Sequence, residues 1–330
     1  MTLNISTALF TSTLITGTMI TITSSSWIIM WIGLEMNLLS FIPMMNKHST
    51  PQESEASMKY FLIQAMASIL LLTGVLLSDM MQPETKTTTI ILLALFMKTG
   101  ASPFHFWFPS VMQGVSWTNC IILMTWQKVA PMIMMSYQLT NGAITNLVVI
   151  ASVMVGAIGG VNQTSIRKMM AYSSISHVGW MITSMLISKT HWMTYFTMYS
   201  ILNVTVILIM HQYSIQHLMQ MFSMKLDSTV KFTMWTSMLS LAGLPPFLGF
   251  LPKWIIIQNL IMLKEFHMVI IMVMMTLITL FFYLRMMYSA FTLNTTGMYW
   301  KNTKQNKLMT MLTMSTSLTG IPMISLLNIY

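Results

Sequence analysis

"ALFMKTGASPFHFWFP", residues 94–109, is an apolar run that reaches Lys98 and then meets a glycine and two prolines among aromatic residues. A second stretch, "LAGLPPFLGFLPKW" at 241–254, repeats the pattern. Both contain G-x-x-P-F-x-x-x-x-P. Gly100, Pro103, Phe104 and Pro109 match Gly243, Pro246, Phe247 and Pro252 at a spacing of 143 residues (243 less 100). A proline inside a helix removes a backbone donor and clashes with the preceding turn, so each copy predicts a broken helix.

The surroundings of both stretches are a membrane. Of 330 residues, 55% are hydrophobic and 7% charged, where a soluble domain carries about 25% charged residues. Apolar segments of about 20 residues succeed one another, the mark of a polytopic all-α membrane protein; the alternation of a β-barrel is absent. Eleven segments are predicted: 3–23, 26–45, 57–78, 87–116, 117–138, 143–162, 167–188, 191–212, 231–263, 266–289 and 308–328. The fourth and ninth are overlong and hold the two proline stretches, each fourth in a set of five. A five-helix set duplicated in tandem inserts upside down the second time, the inverted-repeat plan of secondary transporters, whose sites lie at discontinuous helices. The expected division is 1–140 and 141–290 for the two repeats, and 291–330 for a loop and final helix.

The formal charge of +9 does not mark a nucleic-acid binder, because the 16 basic residues are scattered over short loops without a basic aromatic patch. A single cysteine, Cys120, offers neither a disulfide nor a thiolate metal site. The first basic residue after the N-terminus is Lys47, so neither a secretory signal nor an arginine-rich transit peptide is expected. The 41 methionines stand where Ile or Leu would serve, which points to a mitochondrial genetic code or to flexible filler. Lys47, Lys59, Arg167, Lys168, Lys225, Lys231, Arg285, Lys301, Lys304 and Lys307 fall on one side of the predicted topology, and Lys86, Lys189 and Lys264 on the other. Ten against three puts the first side, with the N-terminus, in the matrix or cytoplasm and the C-terminus opposite.

Glu35, Lys98, Lys128 and Lys253 lie inside membrane segments. Each such charge costs about 2.5–3.5 kcal/mol on insertion scales. The four together cost on the order of 10 kcal/mol, comparable to the stability of a whole domain, which points to use rather than accident. Burial disfavours the charged form of both residue types and an opposite charge favours it. A lysine that gains and loses a glutamate partner can therefore take up and release a proton, as arginine cannot. His177, in "AYSSISHVGWM", sits mid-helix and reads as a proton relay or as a packing histidine. His105, within the first break, reads as part of a hydrated path or as packing. Glu55 and Lys59 are four apart and suit a helix-end ion pair.

"SEASMKYFLIQAMAS" (54–68), "FMKTGASPFHFWFP" (96–109), "MTWQKVAPM" (124–132), "RKMMAYSSISHVGW" (167–180) and "LAGLPPFLGFLPKW" (241–254) resemble the antiporter-like membrane subunits of respiratory complex I, over a span from Ser24 to about Arg285. The resemblance implies two inverted five-helix repeats plus a final helix, in a shortened form lacking three N-terminal helices of bacterial relatives. It also implies that Glu35 pairs with Lys98, that Lys128 continues a central hydrophilic axis and that Lys253 serves the exit half-channel. Family members often carry a glutamate where Ser110 stands. The implied function is a proton-pumping module of a mitochondrial inner-membrane complex, driven by quinone reduction elsewhere. Its implied partners are other membrane-arm subunits, antiporter-like neighbours and lipids. FMN, iron–sulfur clusters and ubiquinone would belong to other subunits, with no cofactor in this chain. A cation/proton antiporter using the same charges is the alternative.

Overall fold

A computed structural model describes residues 5–47, 50–80, 85–223, 228–292 and 307–319. Among them are fifteen helices and no strand; Ser165 and His217 form an isolated backbone bridge. Contacts divide the chain into two compact units, Met1–Thr145 and Asn146–Tyr330.

The first unit holds α1 (Ile5–Thr23), α2 (Trp27–Met45), α3 (Pro51–Met80), α4 (Thr85–Thr99), α5 (Trp107–Gly114), α6 (Trp117–Met124) and α7 (Trp126–Gln138). α1 and α2 approach closely because Gly33 faces Gly17 and Thr21: a Cβ at Gly33 would lie 2.8 Å from the Gly17 carbonyl oxygen. Small residues at such seams let membrane helices pack backbone to backbone. Trp31 donates from Nε1 to the Ser68 carbonyl at 3.1 Å, tying α2 to α3. Asn119 donates to the Met44 carbonyl at 2.7 Å, tying α6 to α2.

In the second unit lie α8 (Ala143–Val161), whose first turn crosses the boundary, α9 (Ile166–Ile187), α10 (Lys189–Gln212), the short α11 (Leu218–Ser223), α12 (Ser228–Ala242), α13 (Phe250–Met262), α14 (Phe266–Thr292) and α15 (Lys307–Leu318). α9 is its most enclosed helix, with a continuous buried stretch from Ser173 to Met185. Serine and threonine are tolerated there because their hydroxyls return to carbonyls one turn back, as in Ser173 to Met170 and Ser174 to Ala171.

Among the described residues six helices are long and apolar enough to cross a membrane: α1, α2, α3, α8, α10 and Phe266–Tyr288 of α14. Of the remaining expected spans, the fourth, fifth and ninth are divided into pairs of shorter helices, and the seventh, α9, is diluted by polar residues. The eleven predicted segments correspond to helices or helix pairs, with residues 320–328 of the last outside the described residues. Two differences stand out. α11 was not expected. The fifth segment, read as continuous over 117–138, is broken at Thr125 (φ −111°, ψ −73°). The Thr125 amide and hydroxyl both bond to the Ile121 carbonyl, at 3.0 and 2.7 Å. Pro131, one turn and a half later, lacks the N–H that would continue the ladder to Gln127.

Candidate functional site

The first unit builds its site at the end of α4. Gly100 lies in the left-handed region (φ +74°). Its amide bonds to the Met97 carbonyl at 3.3 Å, and the Ala101 amide to the Phe96 carbonyl at 3.1 Å. This pair of bonds closes a helix on a glycine. Trp107 donates from Nε1 to the Met97 carbonyl at 3.2 Å. Gln64, on α3, donates to the Lys98 carbonyl at 3.3 Å. A lysine is thereby fixed at a helix end in the middle of an apolar segment.

Lys98 and Lys128, 6% and 3% exposed, line one cavity of about 20 Å³ together with Asn37, Tyr60, Gln64, Thr99 and Gln127. That is room for about one water molecule. Lys128 follows the break at Thr125, and its Nζ lies 5.1 Å from the centre of the Phe108 ring, a cation–π contact. Phe108 comes from the "FHFWFP" segment, so the first break supplies part of the wall against Lys128. The Tyr60 hydroxyl donates to Gln127 Oε1 at 3.4 Å, and Gln127 Nε2 donates to Asn37 Oδ1 at 3.0 Å. Four helices are thus joined by polar side chains around the two lysines.

Glu35 is not in that lining. It lies within electrostatic reach of Lys98 and Tyr60, but the two charges make no direct ion pair among the described residues, and Glu35 Oε1 is buried without a hydrogen-bond partner. His105 also stays outside the cavity: its Nδ1 is 3.2 Å from the Pro103 carbonyl and its ring lies against Phe106, tilted by 33°. Ser110 donates to the Trp107 carbonyl at 2.8 Å. Glu55 and Lys59 form the expected ion pair at 2.5 Å, largely solvent-facing; pairs of this exposure contribute little.

The second unit repeats the helix ending. Gly243 (φ +82°) closes α12 through bonds from its amide to the Leu239 and Ser240 carbonyls, and from the Leu244 amide to Leu239. Here the leftover carbonyl of Ala242 accepts a bond from Lys253 Nζ at 2.8 Å. A neutral amine and an ammonium can both donate this bond, so it holds Nζ in place in either protonation state. The lysine side chain passes over Gly243, where a Cβ would lie 3.0 Å from its Cδ. Its Nζ is 6.0 Å from the centre of the Trp180 ring on α9. Lys98 stands two residues before its glycine and Lys253 ten residues after, so the two units place lysine on opposite flanks of one motif.

His177, one turn before Trp180, shares a 2.8 Å hydrogen bond between Nδ1 and the Tyr195 hydroxyl, and its ring packs on Tyr199. Tyr199 lies against Ser174 and Asn203, and Tyr283 against Ser173. Asn37, Tyr60, Gln64, Gln127 and Tyr195 were not read as site residues. The available signal was slight: a polar residue inside an apolar run, such as Gln64 in "FLIQAMA", or one adjoining a lysine, as in Gln127.

Residues 24–279 match the family model described as NADH:quinone oxidoreductase/Mrp antiporter, TM. The chain belongs to this transmembrane family. Within the NADH:quinone oxidoreductase/Mrp antiporter family, it is similar over nearly its whole length to NADH-ubiquinone oxidoreductase chain 2 of Anopheles gambiae, at 44% identity with 98% of each chain covered. The protein of the same name from Locusta migratoria is 46% identical over 91% of this chain and 90% of that one. Among solved structures, respiratory complex I from Thermus thermophilus contains a chain that superposes with a TM-score of 0.84 at 21% identity, covering 98% of this chain and 78% of that chain. The Mrp complex from Dietzia sp. gives 0.78 at 18% identity, over 90% of this chain and 62% of that chain. The two structural likenesses establish a shared fold.

Proposed function

We propose that this chain is a proton-translocating subunit of the membrane arm of a mitochondrial NADH:ubiquinone oxidoreductase. The observation that carries the reading is the placement of three lysines. Lys98 and Lys128 share one polar cavity, and Lys253 is anchored on a helix end of the same construction, in a chain whose relatives carry the chain 2 name from end to end. Each lysine Nζ is a site at which a proton is held and passed on. Glu35 biases Lys98 by its charge, and His177 with Tyr195 offers a hydrogen-bonded donor–acceptor pair on the helix that carries Trp180. Amide and hydroxyl groups of Asn37, Tyr60, Gln64 and Gln127 orient the first pair of lysines.

The repeat reading belongs to the same proposal. Residues 1–140 and 141–290 would be inverted five-helix repeats and 291–330 a loop and final helix, with the N-terminus in the matrix and the C-terminus in the intermembrane space. The helix endings at Gly100 and Gly243 and the ten-to-three charge bias support it. The redox groups would lie in other subunits. Cys120 is a lone cysteine whose Sγ faces the Met112 and Val115 carbonyls, which does not fit an iron–sulfur cluster. Among the described residues no group of three or more His, Cys, Asp or Glu is placed to hold a metal. Other membrane-arm subunits, antiporter-like neighbours among them, would then be its partners.

A cation/proton antiporter is the second reading, favoured by the Mrp half of the family description. Native electrophoresis of mild-detergent membranes, with in-gel NADH dehydrogenase staining and mass spectrometry for this chain, separates the two. Co-migration with a large stained band is expected. A small unstained species would overturn the assignment in favour of the antiporter.

A further inference from the structure

A second cavity of the first unit, about 220 Å³, opens on the seam between α3 and α5. Gln52, Glu55 and Lys59 wall it on α3, and Ser110 and Gln113 on α5. Its volume holds several water molecules, and each of these side chains can hydrogen-bond them. The mouth lies at the surface: Glu55 and Lys59, joined as an ion pair, are 66% and 46% exposed. Gly114 fixes the walls, since a Cβ there would lie 2.6 Å from the Gln52 carbonyl oxygen and 2.8 Å from Ala56 Cβ. The end of α5 thus packs backbone to backbone against the start of α3, on the basic side of the predicted topology.

The lysine cavity lies further in on the same seam. Lys59 lines the outer cavity and its neighbour Tyr60 the inner one. Ser110 lines the outer cavity and Trp107, one turn earlier on α5, the inner one. A helical turn advances about 5 Å, so little more than one layer of side chains divides the two. That layer contains the Tyr60 and Trp107 rings, 5.9 Å apart and 3% and 5% exposed. The two are held differently. Trp107 Nε1 donates to the Met97 carbonyl at 3.2 Å, whereas the Tyr60 hydroxyl reaches Gln127 Oε1 at 3.4 Å, a length at which an O–H bond is weak. Tyr60 is therefore the side free to swing.

We propose that the outer cavity is the aqueous inlet of the lysine site and that Tyr60 is its gate. A hydronium ion in the inlet gives its proton to a neutral lysine amine of the inner cavity, which becomes an ammonium and leaves water behind. Swinging Tyr60 also releases Gln127, whose Nε2 holds Asn37, so opening the gate loosens the polar network beside both lysines. The inlet role rests on the reading of the lysines as proton sites; the water path does not.

The test treats the assembled complex in its membrane with trimethylammonium-ethyl methanethiosulfonate, a fixed cation that crosses no bilayer, and reads this chain by mass spectrometry. The chain's one cysteine, Cys120, is buried and gives no background. Gln113→Cys is expected to label freely and to lose coupled proton uptake once labelled. Thr99→Cys, in the inner cavity, labels slowly. A gate shut by a few kcal/mol is open about 0.1–10% of the time, which sets that rate about 10- to 1,000-fold below the rate at Gln113→Cys. Tyr60→Ala removes most of this factor, and adding Ser110→Trp, which fills the outer cavity, restores slow labelling. Labelling of Thr99→Cys that ignores Tyr60→Ala, or that ignores Ser110→Trp, overturns the gate and the path. Gln113→Cys carries the test where Tyr60→Ala fails to assemble: a thiol there that does not react, or reacts with full uptake retained, overturns the inlet. Full coupled uptake in Lys128→Met would remove the reading of the lysines, and the inlet role with it, whichever way the thiols label.

Discussion

Alanine at Gly243 and at Gly100 separates a helix ending that only shapes the backbone from one that also positions a lysine. Both glycines are left-handed, at φ +82° and +74°, so alanine at either pays about 1–2 kcal/mol of backbone strain. At Gly100 the nearest atom to a new Cβ is Phe108 Cβ at 3.4 Å, an ordinary contact. At Gly243 the Cβ would stand 3.0 Å from Lys253 Cδ and 3.1 Å from its Nζ. The flexible end of the lysine gives way, and the 2.8 Å bond to the Ala242 carbonyl is lost. A buried carbonyl left without a partner costs about 1–3 kcal/mol more. Gly243→Ala is therefore about 5- to 150-fold more damaging than Gly100→Ala to the equilibrium holding the site in shape. The assay is NADH-driven proton uptake per assembled complex, with assembly quantified on native gels. Gly142→Ala, where a Cβ meets nothing within 4 Å, is the neutral control. Equal effects at Gly100 and Gly243, or normal uptake in Gly243→Ala, would refute the positioning of Lys253 by its helix end.

Gln127→Leu removes the donor to Asn37 and the acceptor for Tyr60 and costs about 1–3 kcal/mol for each buried group left unpaired; calorimetry of the complex should register a lower unfolding temperature, and an unchanged one would detach this network from the cavity. Tyr195→Phe deletes the hydroxyl bonded to His177; a relay predicts an altered pH profile of coupled turnover, whereas an unaltered profile makes His177 a packing residue. Glu35→Gln removes the charge within reach of Lys98 and is expected to move the same profile, and a profile that stays put would reduce Glu35 to packing.

The two breaks at Gly100 and Gly243 were legible because glycine and proline act on the backbone within a turn, and G-x-x-P-F is a local pattern. The break at Thr125 was not, since Pro131 announces a disturbance without saying where the helix gives way, and the Thr125 hydroxyl helps to close the preceding turn. Lys98, Lys128 and Lys253 could be picked out because charge in an apolar segment is conspicuous in one dimension. Their partners could not. Gln64 meets the Lys98 carbonyl across 34 residues of sequence and Gln127 meets Asn37 across 90; such pairings follow from helix rotation and packing, which periodicity in a uniformly apolar segment does not encode. The pairing of Glu35 with Lys98, drawn from resemblance, takes the form of proximity without a direct bond. α11 carries no signal beyond a few residues between longer helices.

The most direct test is proton uptake per NADH oxidised in proteoliposomes containing the purified complex with Lys128→Met. The substitution leaves an unbranched side chain one atom shorter against Phe108 and removes its proton site. An assembled complex with abolished or strongly depressed coupled uptake is the predicted result. Full proton stoichiometry at unimpaired turnover would contradict the account and take Lys128 off the path.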